Sequence, residues 1–542
     1  MRLKASFLLS ILLLGSCNNP NNSFPNHGDT ANNISSNQGF SYNTKTSDNI
    51  GGAFYEVFVH QFADSNQDGI GDFNGLKAKL PYLKDLGVSN LWLMPIHPSD
   101  SDHKYDVKDY YQVDSSYGTM VDFDTLITVA NTNNIKIIID LVLNHSSNNH
   151  PWFLAAVQDF KNNNTSATSK KDYYNFSWTM QNGYAATQGI YYEARFSPSM
   201  PDLNLDNSAL REELIKIAKF WLDKGVLGFR LDAVTSFYTG DDIKNVSFLS
   251  WFNQNIKSYK SDVYLVGEAW IDRATSQFLD YSASGVNFFN FPMSHSNAVG
   301  FKAKLIAAQG DDIVSNMIIL ENEQQRRSSN VTLTSFLSNH DQDRIQNGVS
   351  DDQMKLLSSL YLLTKGHPFI YYGEEIGLRG VREPNQNTDA NRRMPMIWND
   401  QSIECNPLSG ATYSYNYPAT FGAKNETATN NSLLNHYRKV LSIRNSYSEY
   451  FLRGKISKET ILDHPELASF KLTNNNNDLH IIHNTSTTYS VFDVEAEFSI
   501  LDSIDTYGIV PQIQNGKVAL APFSTIVYNY NNRILKFETG GI

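Results

Sequence analysis

Val226-Leu227-Gly228-Phe229-Arg230-Leu231-Asp232-Ala233 decides the fold. It is an apolar β-type run that ends on an arginine and an aspartate two residues apart. Upstream, Leu210, Leu214, Ile217 and Trp221 recur at helical spacing. That helix is predicted to start near Asp206 or Asn207 and to stop at Gly225. Further upstream, Ile137-Ile138-Ile139-Asp140-Leu141-Val142 is another strand. Continuous apolar strands separated by helices indicate a parallel sheet buried on both faces.

The same pattern extends in both directions. Strands are expected at Ala53–Val59, Leu91–Pro95, Val263–Val266, Val331–Leu337 and Phe369–Tyr372. Leu76, Leu80 and Leu83 mark a helix that Pro81 should break or restart. About eight such units over roughly 400 residues suggest a (β/α)8 barrel with insertions, a doubly wound sheet being the alternative. The barrel is expected over 50–144 and 208–450. A polar, aromatic stretch, 145–207, interrupts it after the third strand as an inserted domain. After about Tyr450 the helical pattern gives way to β-type runs such as Leu479–His483 and Thr525–Tyr528. A C-terminal antiparallel β-sandwich is expected over 451–542.

Composition narrows the function. The chain has 542 residues, of which 41% are hydrophobic and 12% aromatic, so it is globular rather than disordered. Lys plus Arg number 44 against 56 Asp plus Glu, a net charge of −12. Phosphate neutralisation needs a basic surface, so nucleic acid is not the expected partner. The only cysteines are Cys17 and Cys405, too few for a disulfide framework or a cysteine-based zinc site.

Arg2 and Lys4, the apolar run Phe7–Leu14 and the small residues Gly15-Ser16 form a secretory signal, residues 1–16. The run is too short to span a bilayer. Leu14-Gly15-Ser16-Cys17 resembles a bacterial lipobox, in which Cys17 carries the lipid; an ordinary signal with a chance cysteine is the alternative. Asn- and Ser-rich residues 17–49 read as a flexible tether. A secreted lipoprotein is expected, held at the cell surface or periplasmic face, with the lipid as its only membrane contact.

Chemistry in such a barrel sits at the C-terminal strand ends. Arg230 and Asp232 share a face. A neighbouring guanidinium favours an ionised carboxylate, which suits a nucleophile. The fifth strand ends Val266-Gly267-Glu268-Ala269-Trp270. A Glu beside a Trp and apolar residues is expected to hold its proton, which suits a general acid. The seventh strand ends Ser338-Asn339-His340-Asp341 and the third Asp140-Leu141-Val142-Leu143-Asn144-His145.

Together these four segments resemble the signature regions of the α-amylase family, glycoside hydrolase family 13, in family order and at family-like separations. Met200-Pro201-Asp202-Leu203-Asn204 resembles a fifth. The resemblance covers about Gly52 to the C-terminus. It implies Asp232 as nucleophile, Glu268 as general acid/base and Asp341 as transition-state stabiliser. A retaining glycosidase needs one ionised and one protonated carboxyl group, about 5–5.5 Å apart. The resemblance also implies sugar contacts from Asp102, Tyr105, His145, Arg230, His340, Asp389 and Arg393. The strand-end pair Glu374-Glu375 has no catalytic role in the family and is read as structural.

Asp64-Ser65-Asn66-Gln67-Asp68-Gly69-Ile70-Gly71-Asp72 places hard oxygen donors at alternate positions, which suits Ca²⁺. The ligands would be Asp64, Asn66, Asp68, the Ile70 carbonyl and Asp72. Gly75 stands where an EF-hand needs its bidentate Glu, and a strand precedes the loop. It resembles instead the calcium loop after the first barrel strand in some α-amylase-family members. An Asx-rich turn without metal is the alternative. Asn144 and Asp202 fit the family's second calcium site, but Thr235-Ser236 replace its usual Lys-His.

The expected reaction is endo-cleavage of α-1,4 bonds in starch or maltodextrin by a monomer. Ala233, where members preferring α-1,6 bonds often carry Val, favours the α-1,4 bond. Exo-acting α-glucosidase, oligo-1,6-glucosidase or glucan transglycosylase action is the alternative within enzymes. A non-catalytic glucan-binding lipoprotein is the alternative outside them.

Overall fold

The computed structural model describes residues 52–530 apart from 295–296, 384–388, 401, 413–416 and 496. The segments expected as signal and tether, with Cys17, lie outside the described residues.

The barrel strands are β1 (Phe54–Val57), β2 (Asn90–Leu93), β3 (Lys136–Leu141), β4 (Gly228–Leu231), β5 (Tyr264–Gly267), β6 (Asn287–Phe289), β7 (Leu333–Thr334) and β8 (Phe369–Tyr371). Each pairs in parallel with its neighbour from β1 to β7, and β8 pairs with β1. A parallel bridge between Phe336 and Phe369 closes the remaining seam. The sheet is therefore a (β/α)8 barrel, and the doubly wound alternative falls.

Register explains the division of labour along each strand. Glu56 pairs with Trp92, Trp92 with Ile138, Asp140 with Arg230, and Arg230 with Val266. Alternate residues face inward. The lower interior is an apolar plug that includes Phe54, Trp92, Ile138, Tyr264, Phe289, Phe336 and Phe369. Glu56, Asp140, Arg230 and Asp232 stand further along the same strands, nearer their C-terminal ends.

The helix after β3 spans Ser208–Asp223, capped by the Asn207 side chain accepting from the Leu210 N–H. It buries Leu210, Leu214, Ile217 and Trp221, and Gly225 (φ +97°) follows as the sequence requires. The helix Phe73–Leu86 runs unbroken through Pro81, contrary to expectation. Pro81 is exposed, so the carbonyl it leaves unpaired faces water while Leu76, Leu80, Leu83 and Leu86 stay buried.

Between β3 and that helix, Pro151–Lys161 forms a helix. The strands Phe176–Ser177, Tyr184–Thr187 and Ile190–Glu193 form a small antiparallel sheet. The segment is tied back where the Leu203 N–H donates to the Asn144 carbonyl and the Ser146 N–H to the Pro201 carbonyl. The helical pattern continues to Arg453, beyond Tyr450. An antiparallel five-stranded sheet then packs with a three-stranded one through Leu467, Ile482, Phe492, Val518 and Ile526. Its longest hairpin turns on Asn475-Asn476, both at positive φ, as a tight two-residue turn demands.

Candidate active site

Arg230 is the hub of the barrel's C-terminal mouth. It is 1% exposed. Its Nη1 donates to Asp232 Oδ1 at 2.7 Å and to Asp140 Oδ1 at 2.9 Å, and Nη2 lies 2.8 Å from Glu268 Oε1. One guanidinium thus holds three carboxyl groups, and its face lies over Trp92 and Tyr105. Glu268 Oε2 accepts the Ala233 N–H at 3.1 Å. Ala233 has φ +43°, an uncommon conformation for a residue with a side chain. That bend aims its N–H at Glu268.

A second cluster centres on His340. Its Nδ1 is 2.6 Å from Glu56 Oε1 and its Nε2 is 2.9 Å from Asp341 Oδ2. The Tyr105 hydroxyl is 2.8 Å from Nε2, and the two rings stack at 5.7 Å. Arg393 donates to Asp341 Oδ1 at 2.7 Å and to the His340 carbonyl at 3.1 Å. Asp389 pairs with Arg392 at 2.9 Å and lies 3.7 Å from Arg393.

The charges do not balance by themselves. Glu56, Asp140, Asp232, Glu268 and Asp341 converge on Arg230, Arg393 and His340. Burial pushes Glu268 up to about 7, reinforced by Asp232 and Asp341 and opposed by Arg230. Burial likewise raises Asp140 to about 7 against the Arg230 charge. Burial alone would lower His340, but Asp341 and Glu56 reverse this and hold it at about 10. Burial would raise Asp341, yet His340 and Arg393 hold it far below the usual carboxylate range. Two carboxyls, Glu268 and Asp140, are therefore poised to keep a proton, and Asp341 is fixed as an anion.

The expected sugar-contact residues Tyr105, His145, Arg230, His340 and Arg393 gather here. His145 is buried, and its Nε2 has no hydrogen-bond partner. Burial lowers its pKa, which favours the neutral ring, against the pull of Asp232. Asp102 is half-buried on the same loop as Tyr105, close enough to act on the His103 charge. Asp389 reaches the site through Arg393. Trp270 is 40% exposed and stacks on Phe291 at 5.0 Å. Burial in the barrel mouth is the largest cause of Glu268's raised pKa.

Two members of the network have no role in the sequence reading. Glu56 and Asp140 are buried acids inside apolar strands, and an acid in such a run is itself a signal of an inward-facing charged site.

In the 64–72 loop, Asp64 accepts the N–H groups of Asn66, Gln67 and Gly69, and Asp68 accepts that of Ile70. Asp72 caps the following helix through the Gly75 N–H and accepts from Ser65. Among the described residues no group of three or more acidic, histidine or cysteine side chains is arranged to hold a metal ion. At the second candidate site, Asn144 Nδ2 donates to Asp202 Oδ1 at 3.4 Å. Burial and Glu193 raise Asp202 to about 7.

A parallel eight-stranded barrel with paired carboxyls at its C-terminal mouth defines a class: a glycoside-processing enzyme built for acid–base chemistry. The model of the α-amylase catalytic domain matches residues 56–454. The chain is 39% identical over 483 residues to "Alpha-amylase 3" of Dictyoglomus thermophilum, covering 88% of this chain and 92% of that one. It is 30% identical to the 4-alpha-glucanotransferase of Thermotoga neapolitana, covering 81% and 97%. Eubacterium rectale Amy13B superposes with a TM-score of 0.82 at 34% identity, over 89% and 95% of the two chains. The chain belongs to the α-amylase family and is an α-amylase-family glycoside hydrolase.

Proposed function

We propose that this enzyme hydrolyses internal α-1,4 bonds of starch and maltodextrins by double displacement. The observation that carries this reading is Arg230 gripping Asp232 and Glu268 at once. Two carboxyls on one guanidinium fit the short spacing of retaining enzymes, about 5–5.5 Å, and not the wider gap of inverting ones. Asp232 attacks the anomeric carbon while Glu268 protonates the departing oxygen, leaving a β-glycosyl-enzyme. Glu268 then takes a proton from water, which displaces Asp232. Asp341, held as an anion by His340 and Arg393, faces the positive charge that develops on the ring. His145, with its open Nε2, and Tyr105 position the sugar being cleaved.

The endo-acting α-1,4 reading draws support from Ala233 and from the likeness to the Dictyoglomus protein. The glucanotransferase relative and an oligo-1,6-glucosidase of Halalkalibacterium halodurans, 29% identical, favour transfer or exo action as the second reading. A time course on maltoheptaose separates them. Mixed short maltooligosaccharides, released first as α-anomers by NMR, support endo hydrolysis. Glucose alone indicates exo action, and products longer than the substrate indicate transfer. Near-normal activity in Asp232→Asn would overturn the mechanism.

The reading includes two further parts. Asp64, Asn66, Asp68, the Ile70 carbonyl and Asp72 would hold Ca²⁺. Their donors are hard oxygens on one turn, clasped where the Asn406 N–H donates to the Gly69 carbonyl. Bound Ca²⁺ would stiffen this loop. The chain would also be exported and anchored by lipid on Cys17, as the lipobox-like segment suggests.

A further inference from the structure

The segment inserted after β3 carries an aromatic side chain that the catalytic mouth does not use. Trp178, just past the strand Phe176–Ser177, is 61% exposed, and Met180 near it is 62% exposed. Between residues 162 and 195 no other large apolar side chain stands so far into solvent. The indole is nevertheless held in place from beneath. Its ring lies 5.3 Å from that of Phe160 at 31°. Phe160 stacks on Phe176 at 5.0 Å, and Phe176 on the buried Phe153 at 6.0 Å. This column of rings fixes Trp178 and leaves most of the indole in water, so a ligand would meet a surface already ordered.

The surroundings have no dominant charge. Tyr173 through Tyr192 include no Asp, Glu, Lys, Arg or His, in a chain where 18% of residues are charged. The charges beside Phe160 on its helix are of both signs. Asp159 accepts from Asn164 and from the Lys170 N–H, and Lys161 Nζ lies 3.5 Å from Gln188 Oε1. Gln181, whose amide donates to Ser177 Oγ at 3.0 Å, stands exposed next to the strand end. The place is also apart from the chemistry. Phe176 pairs with Tyr192 and Ser177 with Tyr191 in an antiparallel ladder, so the chain at Trp178 heads away from the Phe196 end. Phe196 is the residue whose ring meets His145, at 5.4 Å.

We propose that Trp178 is a docking platform for α-glucan outside the catalytic cleft. The open indole face stacks on the C–H face of a glucose unit, and Gln181 hydrogen-bonds its hydroxyls. This rests on the reading of α-glucan as the substrate. An anion or cation would find no counter-charge here, whereas an uncharged hydroxylated ring needs none. A protein partner needs about 800 Å² per side. One aromatic side chain supplies about 150–250 Å², which is enough for a stacked sugar. A single platform binds weakly, but it is joined to the cleft through one chain of glucan, so the gain appears on polymers and granules.

The test is adsorption of the full-length protein to granular starch, read beside kcat/KM on maltoheptaose and Tm by calorimetry. Trp178→Ala is expected to weaken adsorption about fivefold or more and to slow sugar release from granules. Its kcat/KM on maltoheptaose and its Tm should match wild type. Trp178→Phe should keep most of the adsorption, because it keeps a ring face. Equal adsorption of wild type and Trp178→Ala, or none by wild type, would overturn the inference. So would a parallel loss on maltoheptaose, which would place Trp178 in the cleft or in the fold. Sedimentation velocity supplies the last arm: self-association that Trp178→Ala abolishes would make the patch a contact between copies and overturn it too. If wild type failed to cleave maltoheptaose yet adsorbed through Trp178, the substrate reading would fall and the platform would stand.

Discussion

Glu56 Oε1 lies 2.6 Å from His340 Nδ1, although 284 residues separate them. This contact and Asp341 keep the imidazole protonated up to about 10. Glu56→Gln should therefore lower the His340 pKa by about one unit or more, read by NMR titration of the imidazole, a change of about 1.4 kcal/mol in the preference for its charged form. The sign for stability follows from the raised pKa. His340 contributes fully below the unfolded value of about 6.5, and the contribution disappears as pH rises through about 10. The difference in Tm between wild type and variant should be largest near pH 6 and vanish above about 10. An equal difference at both ends would mean that Glu56 acts through packing alone.

Glu268, raised by burial to about 7, must carry its proton to act as an acid. In the free enzyme kcat/KM should fall as pH rises through about 7. Glu268→Gln should reduce it by about 10²–10⁴ and flatten that limb. A pH profile of the variant that keeps the wild-type alkaline limb would assign the proton to another group, Asp140 first.

Much of this was legible in the chain, and the gaps have physical causes. β3 and β4 read correctly because both faces are buried and the runs are continuously apolar. β6 escaped because it is three residues long and begins with Asn287, which offers no periodicity. The strands of the three-stranded terminal sheet, Ser490–Asp493, Ile513–Gln514 and Lys517–Leu520, went unread because they are only two to four residues long. The place of Asp232 and Glu268 at the mouth was readable because each directly follows a strand, whereas Asp341 stands in the loop beyond β7 and was reached only through its motif. The bond between Glu56 and His340 was not, since only closing the barrel brings the first and seventh strands to one point. Pro81 was misread because its cost depends on which side of the helix meets water.

The 64–72 loop makes a separable claim. Ca²⁺ at 100 times its Kd would add about 2.7 kcal/mol. For a chain of this size that is a rise in Tm of about 2–3 °C. Asp64→Ala with Asp68→Ala should abolish the rise, and Mg²⁺ should give much less, because it resists dehydration. A chelator-treated sample whose Tm ignores Ca²⁺, or a variant that responds like wild type, would leave the loop as an Asx-rich turn.

Arg230 offers the most direct test of the site's architecture. Its fork reaches Asp140, Asp232 and Glu268 together, and among the described residues no other cation pairs with all three. Lysine keeps the charge but not the planar fork, so it cannot hold all three carboxyls in one geometry. Arg230→Lys should retain the fold and lose at least about 10² in kcat, with a smaller change in KM. Arg230→Met leaves three buried acids uncompensated, and should cost about 3–5 kcal/mol at neutral pH. That deficit should shrink as the pH is lowered, because protonation removes the repulsion among the stranded carboxyls. Calorimetric Tm values for wild type and Arg230→Met at pH 5 and pH 8 read the effect. A deficit that does not narrow at the lower pH would show that Arg230 matters for packing and not for charge.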